Sequence, residues 1–507
     1  MGKSISAERR FTFGHRPATF LIVVSLLAFA LRAYHLGYQS LWRDETDALR
    51  FATGSLADLL GMFKNPGQNG PLFFVVLRYW LAAAGHSEFA LRFLSACLGT
   101  LAVPISYNLV VRLAGQQAAA LTALAMAVAP YLVWYGQEAK MYALLTFLVP
   151  LGFWLVLRAV QRGGWRYWVL LYVVTSLSVY THLLAALTIP LQLIWILLAP
   201  AEAAADEGIG NREQGTGAAL GKRALSALAY LVALALPYLP VLHWALPMLL
   251  SFNYRTGFPF VPLPGIFQSL ANAWAGGIAP LSQPPTLPIL LATWAALSGS
   301  VLWVLASGRG SWRPVAMLAA WLLLPPIEIY LVSLSVPLFT ERYLIWAMPA
   351  FLALQAMGIV VLLRSWRPLG ILTVGAILAL GAPVLGTQTY RPIKSDFRGA
   401  AAYVLAHERP GDRLIFQIPY DRYLYEYYAG PVADARDGPY TNNGMDDAEL
   451  NEQMAQATAA APAVWLIASE VPMWDERGMT ESWLKAHGRL VDRSDFTLVS
   501  VSRYDLR

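Results

Sequence analysis

The sequence predicts an all-α polytopic membrane protein of about eleven transmembrane helices, with further helices on the outer interface and a small C-terminal α/β domain. Three observations predict it. Of 507 residues, 57% are hydrophobic and 13% charged, where a soluble domain carries about 25% charged residues. Mean hydropathy is +0.48. Apolar runs of about 20 residues, the length that crosses a bilayer, recur from Phe20 to Leu385 and then cease.

The amino end is basic (Lys3, Arg9, Arg10, Arg16) and leads into the first run. Ala28-Phe29-Ala30 resembles a signal-peptide cleavage site, but Arg32 follows at once, so the run is read as an uncleaved first span, with cleavage as the minor alternative. With that end inside, span 1 (about residues 18–35) exits to the outer face. The next apolar stretch, Pro71 to Ala84, is about 14 residues, short for a crossing. If it spanned, Arg158, Arg162, Arg166, Arg309 and Arg313 would all lie outside. It is therefore laid on the outer interface.

The remaining spans fall at about 89–111, 117–134, 140–160, 167–182, 183–200, 223–246, 285–306, 314–336, 342–363 and 369–387. Inside loops then hold Arg112, Arg158/Arg162/Arg166, Lys222/Arg223, Arg309/Arg313 and Arg364/Arg367, as the positive-inside rule asks. The first outer loop, 36–88, has helical patterns at Asp44–Ala52, Leu56–Phe63 and Pro71–Ala84. A second outer loop runs from Ser251 to Pro284, and Glu202–Gly221 is a polar inside connection.

Residues 1–388 thus form the membrane domain. Residues 389–507 alternate helical and strand patterns: Asp396–His407, Arg413–Ile418, Ala448–Ala460, Val464–Ala468, Glu481–His487 and Thr497–Arg503. This is a small α/β domain on the outer face, without a Gly-rich phosphate loop, so no nucleotide site is expected there. Cys97 is the single cysteine, which excludes a disulfide framework and a cysteine-based metal site. The net charge of +6 sits in short interspan loops, which gives orientation rather than a nucleic-acid stripe.

Charges against a membrane are costly and therefore informative. Asp44 and Glu45 lie just beyond span 1. Arg92 opens the next span after Glu88. Glu138, Lys140 and Tyr142 lie between two spans, His182 where Tyr180-Thr181-His182 meets the surface, and Arg342-Tyr343 after Glu341 at a span entry. All fall at outer span ends, although only loop Lys and Arg set the topology.

Carboxylates and cations facing one outer cavity suit a substrate with a hydroxyl and a phosphate. No nucleotide-sugar pool exists outside the cytoplasm, so an activated donor arrives in the lipid, and a polyprenyl-phosphate sugar fits. Its leaving phosphate needs no general acid. A carboxylate must take the acceptor proton and cations must hold the phosphate. Attack opposite the leaving group inverts the anomeric centre. Asp44 or Glu45 serves as base; Lys140, Arg342 and Arg92 hold phosphate.

Plainer readings stand beside these. The acidic pair also suits a solvated helix start, with Asp47 a supporting acid. Glu138 and Lys140 make a plausible loop ion pair, Arg92 can neutralise an acid at a span end, and His182 can be a satisfied interfacial histidine. Glu328, mid-span after Pro325-Pro326, has no assignment.

Six segments in order carry a resemblance: Leu41-Trp42-Arg43-Asp44-Glu45, Gly70-Pro71-Leu72-Phe73-Phe74, Glu88 to Ala96, Gln137-Glu138-Ala139-Lys140-Met141-Tyr142, Tyr180-Thr181-His182 and Arg342-Tyr343-Leu344. Over about residues 20–360 the set resembles the C-type membrane glycosyltransferases, in the branch of protein O-mannosyltransferases and aminoarabinose (lipid A) transferases. The resemblance implies that Asp44 is the base and that the segment at residues 70–75 is interfacial. The chain departs from the pattern at Asn69-Gly70-Pro71, where the family often has His-Pro-Pro, and at Lys140, where it often has Arg.

The expectation is an inverting polyprenyl-phosphate-dependent hexosyl- or pentosyltransferase of a bacterial plasma membrane, acting on a glycan, lipid or protein acceptor at the outer face. Its amino end is inside, and its C-terminal domain lies outside and covers the cavity or reads the acceptor. Glu45 orients the acceptor or a divalent ion, Glu138 is a second acid, and Tyr142, His182 and Tyr343 line the cavity. No His/Asp set marks a required metal. The rivals are a transporter or flippase of lipid-linked sugar, which calls for inverted repeats and charges at the midplane; a ligase or polymerase with a lipid-diphosphate donor; and an inactive scaffold of the same fold.

Overall fold

The computed structural model describes residues 17–62, 70–199, 212–250, 256–278 and 312–506. The basic segment before Pro17, Asn69, Arg309 and the span expected at 285–306 lie outside the described residues.

In chain order the helices are α1 (Pro17–Ala33), α2 (Arg43–Thr53), α3 (Leu56–Leu60), α4 (Leu72–Ala84), α5 (Glu88–Val128), α6 (Pro130–Gly136), α7 (Tyr142–Arg162), α8 (Trp165–Thr181), α9 (Thr188–Leu198), α10 (Arg212–Leu250) and α11 (Leu263–Gly276). Helices Trp312–Ser333, Met348–Ser365 and Arg367–Tyr390 follow. Most boundaries lie within a few residues of those expected. The spans expected at 89–111 and 117–134 form one element that breaks at Gly115 (φ 81°, ψ 177°). Only glycine takes that backbone readily, so the chain turns there.

Among the described residues, six helical stretches are long and apolar enough to cross a membrane. By contrast, α4 has 13 residues, about 20 Å at 1.5 Å per residue, short of the roughly 30 Å hydrocarbon core. Along α10, Leu225, Leu228, Val232, Leu236 and Leu239 are exposed while Tyr230 and Leu234 are buried. An apolar stripe at helical spacing that faces outward is a lipid-facing surface.

The chain divides into two compact units. The first comprises Met1–Tyr34, Leu56–Val76 and Leu94–Gly386; the second comprises His35–Ser55, Leu77–Phe93 and Thr387–Arg507. In the first, Phe153 packs at 4.4 Å from both Trp195 and Trp321, and the Trp195 indole N–H donates to the Met317 carbonyl (2.9 Å). The Tyr230 hydroxyl donates to Thr175 (2.7 Å), and Gln192 donates to the same threonine (3.0 Å). Polar side chains inside a helical bundle thus satisfy each other across helices.

In the second unit a five-stranded sheet has the order β2-β1-β3-β5-β4, with β1 (Arg413–Phe416), β2 (Ala435–Asp437), β3 (Ala463–Ser469), β4 (Gly488–Phe496) and β5 (Val499–Leu506). Strands β1, β2 and β3 are parallel; β5 and β4 join antiparallel. Central β3 (AVWLIAS) is buried along its whole length, because both sheet faces are covered, and it reads as one apolar run. Helices Phe397–His407, Asp421–Ala429, Asp447–Thr458 and Met479–His487 complete the unit.

Candidate active site

The second unit holds the acidic pair. Both acids fall in the first turn of α2, where the helix dipole favours negative charge. Glu45 is fully buried, with Oε1 2.7 Å from the Arg92 Nε and Oε2 2.7 Å from Nη2. The Lys394 Nζ approaches the same Oε2 at 2.9 Å. Arg92 also donates through Nη1 to the carbonyls of Leu36 (2.9 Å) and Gln39 (2.8 Å), and through Nη2 to that of Ser40 (3.1 Å). Burial alone would raise the Glu45 carboxyl. Arg92 and Lys394 outweigh it and hold the group down at about 2.

Two expected roles are corrected here. All five N–H groups of Arg92 are spent on Glu45 and on the 36–40 loop, so it does not serve the donor phosphate. Both Glu45 oxygens are taken by cations, so it does not orient an acceptor or a metal ion. The pair instead fixes the loop and the start of α2. Asp44, the other member, is half-buried. It remains the candidate base of the pair.

The first unit gathers the other motifs. A tight turn after α6 closes through Gln137 N–H to Trp134 O (2.8 Å) and Lys140 N–H to Glu138 O (2.7 Å). It leaves Glu138, Lys140 and Tyr142 all buried. The Lys140 ammonium lies 5.7 Å from the Phe74 ring centre, so the interfacial Gly-Pro-aromatic segment meets the Lys140 motif. The Arg342 guanidinium lies 6.0 Å from the Tyr142 ring, and Tyr343 packs 4.9 Å from His182. Lys140 and Arg342 are both within electrostatic reach of His182, and Glu138 and Arg342 of Tyr135.

The Gly70 backbone presses on this region. A Cβ there would stand 2.0 Å from the Tyr180 carbonyl oxygen, so the position admits no side chain. His182 Nδ1 accepts from the Leu184 N–H (3.2 Å), which puts the proton of a neutral ring on Nε2. That Nε2 is buried without a hydrogen-bond partner among the described residues. A buried ammonium, a half-buried guanidinium and the His182 N–H gathered in one region suit an anion.

Arg32 and Lys394 carry weight that the sequence did not announce. Arg32 is buried and donates to Ala28 O (3.0 Å), Ala127 O (3.1 Å) and Met126 O (2.9 Å), covering the last carbonyls of α5. A Cβ at Gly99 or Gly136 would meet its side chain at 3.0 or 2.9 Å. Among the described residues no three His, Cys, Asp or Glu side chains group to hold a metal ion.

Residues 66–206 match the profile of the family described as dolichyl-phosphate-mannose-protein mannosyltransferase. The matched span takes in the 70–74, 88–96, 137–142 and 180–182 segments. ArnT from Cupriavidus metallidurans bound to undecaprenyl phosphate superposes with a TM-score of 0.56 at 13% identity, over 96% of this chain and 97% of that one. The chain has the C-type membrane glycosyltransferase fold. Archaeal oligosaccharyltransferase AglB from Archaeoglobus fulgidus, in complex with an inhibitory peptide and a dolichol-phosphate, shares the C-type fold. Its TM-score is 0.55 at 11% identity, over 96% of this chain and 74% of that one. A search of curated proteins finds no sequence match.

Proposed function

We propose that this protein is an inverting glycosyltransferase that moves a sugar from a polyprenyl-phosphate carrier to a hydroxyl of a glycan, lipid or protein, on the outer face of a bacterial plasma membrane. The observation that carries the reading is the gathering of buried Lys140, half-buried Arg342 and the buried His182 N–H in one region of the first unit. Such a set suits the charged oxygens of a lipid-linked phosphate, a diester in the donor and a monoester in the released carrier. The ligands of the two fold relatives, undecaprenyl phosphate and a dolichol-phosphate, support the same donor class.

Asp44 takes the acceptor hydroxyl proton as the oxygen attacks the anomeric carbon from the face opposite the phosphate. The bond from that carbon to the phosphate oxygen breaks with its electron pair. The polyprenyl phosphate leaves as an anion on Lys140, Arg342 and His182, and the configuration inverts. Lys140 supplies a point charge and Arg342 a planar grip. Asp44 regains its carboxylate by releasing the proton to solvent. Glu138 is a second acid at the cavity, and Tyr142 and Tyr343 line it.

Reconstitution tests it. Purified protein in vesicles receives a panel of undecaprenyl-phosphate hexoses and pentoses with cell-envelope acceptors. Transfer with inverted configuration at the anomeric carbon, read by NMR of the product, is the expected result. Retention of configuration, or movement of the donor across the bilayer without transfer, overturns the proposal.

A further inference from the structure

Glu45 is gripped by two cations, and only Arg92 belongs to the six segments singled out in the sequence. The second, Lys394, lies 349 residues further on, in Arg391-Pro392-Ile393-Lys394-Ser395-Asp396 just past the last apolar helix. Its ion pair with Glu45 spans 2.9 Å with side chains 4% and 0% exposed. The backbone around it is tied to the same loop. Gln39 Oε1 accepts from the Ile393 N–H (2.9 Å) and the Lys394 N–H (3.3 Å), while Gln39 Nε2 donates to the Arg391 carbonyl (2.7 Å).

Arg92 alone balances the Glu45 charge with a two-pronged grip. Burying a further ammonium beside that pair costs several kcal/mol of desolvation, so charge balance does not account for Lys394. Its position relative to α2 does. The first turn of α2 starts at Trp42 without a side-chain cap bond, so its orientation depends on how Glu45 is held. Asp44 is the preceding residue of that turn. A displacement near 1 Å at a reacting group can cost on the order of 100-fold in rate.

We propose that Lys394 is a positioning residue for transfer: acting through Glu45, it holds the first turn of α2 so that Asp44 meets the acceptor hydroxyl in one orientation. The seating of the 388–396 segment then becomes a condition for turnover. This rests on Asp44 being the base.

The test uses the full chain in vesicles, with the undecaprenyl-phosphate sugar that the native protein turns over, and undecaprenyl phosphate binding measured in parallel. Lys394→Met is expected to lower kcat at least about tenfold, with donor KM and undecaprenyl phosphate affinity within about twofold. Lys394→Arg restores most of kcat, and Glu45→Gln/Lys394→Met is no slower than Glu45→Gln alone, because both act through one group. Full kcat in Lys394→Met overturns the inference. So does a raised donor KM at unchanged kcat, which would mark a direct phosphate contact, or an additive loss in the double variant. Should Lys394→Met not fold, Lys394→Gln, which keeps a hydrogen bond to Glu45, carries the same outcomes. Full transfer by Asp44→Asn would instead defeat the functional reading. Inactive Asp44→Asn beside fully active Lys394→Met defeats this inference alone.

Discussion

Asp44 and Glu45 are neighbours with opposite environments. Glu45 is sealed between Arg92 and Lys394, while Asp44 is half-buried beside it. That contrast assigns their roles better than their shared chemistry does. Asp44→Asn is expected to lower kcat by about 10²- to 10⁴-fold, the usual contribution of a general base, and to leave undecaprenyl phosphate binding in place. On the phosphate side, Lys140→Ala and Arg342→Ala should each raise donor KM by about 10- to 100-fold, the loss of one charge-assisted hydrogen bond, measured by titrating the donor at fixed acceptor. At this scale the sequence was legible in part. The motifs single out Asp44, Lys140, Arg342 and His182 as candidates, because their residue types are conspicuous at span ends. They gave Arg92 to the phosphate because an arginine beside an outer span end has the same appearance whether it meets a ligand or a buried glutamate. Lys394 was invisible, since a lysine in a polar post-span segment has no local signal for a partner hundreds of residues away.

The first turn of α2, the 36–40 loop and the 388–396 segment behave as one element through the Arg92–Glu45–Lys394 cluster. The Glu45 carboxyl titrates near 2 in the folded protein, against 4.5 for the free group. The cluster therefore contributes stability that is complete above about pH 4.5 and is lost as pH falls toward 2, on the order of 3 kcal/mol in all. Thermal unfolding followed from pH 7 to pH 3 should show a steeper acid loss in the native protein than in Glu45→Gln, which is expected to be less stable at neutral pH by about 3–5 kcal/mol because two buried cations lose their partner. A second element-scale expectation concerns Gly70. Gly70→Ala must push the Tyr180–Thr181 backbone away, so it should lower both thermal stability and donor affinity, whereas alanine at the open Gly375 should do neither. Elements with strong periodicity, such as α7 and β3, were plain in the sequence. Edge strand β4 (GRLVDRSDF) was not, because its mostly exposed, charged residues protect a sheet edge and show little apolar alternation. The helix Asp421–Ala429 was missed for a related reason: its four tyrosines favour strands on propensity, and tertiary packing overrides them.

For the molecule as a whole, composition and hydropathy predict a polytopic membrane protein, and within the described residues the helices agree in place, although α10 is longer and α9 shorter than the spans expected there. The split of the chain into units was less legible, because segments 35–55 and 77–93 fold with the C-terminal residues rather than with the spans that flank them. Sequence order cannot announce that, since the joining contacts are ion pairs such as Glu45–Lys394 and side-chain-to-main-chain hydrogen bonds of high separation. The basic interspan loops predict a first loop on the outer face. In a Cys97→Ala background, a cysteine at Asp47 is expected to react with a membrane-impermeant thiol reagent in intact cells; labelling only after lysis reverses the orientation. The account as a whole stands on sugar transfer from a polyprenyl-phosphate donor, driven by the Asp44 carboxylate. The most direct measurement compares native and Asp44→Asn protein in the same vesicles, recording undecaprenyl phosphate binding and sugar transfer side by side. Equal binding with transfer lost in the variant is the predicted result, and equal transfer by the two proteins would contradict it.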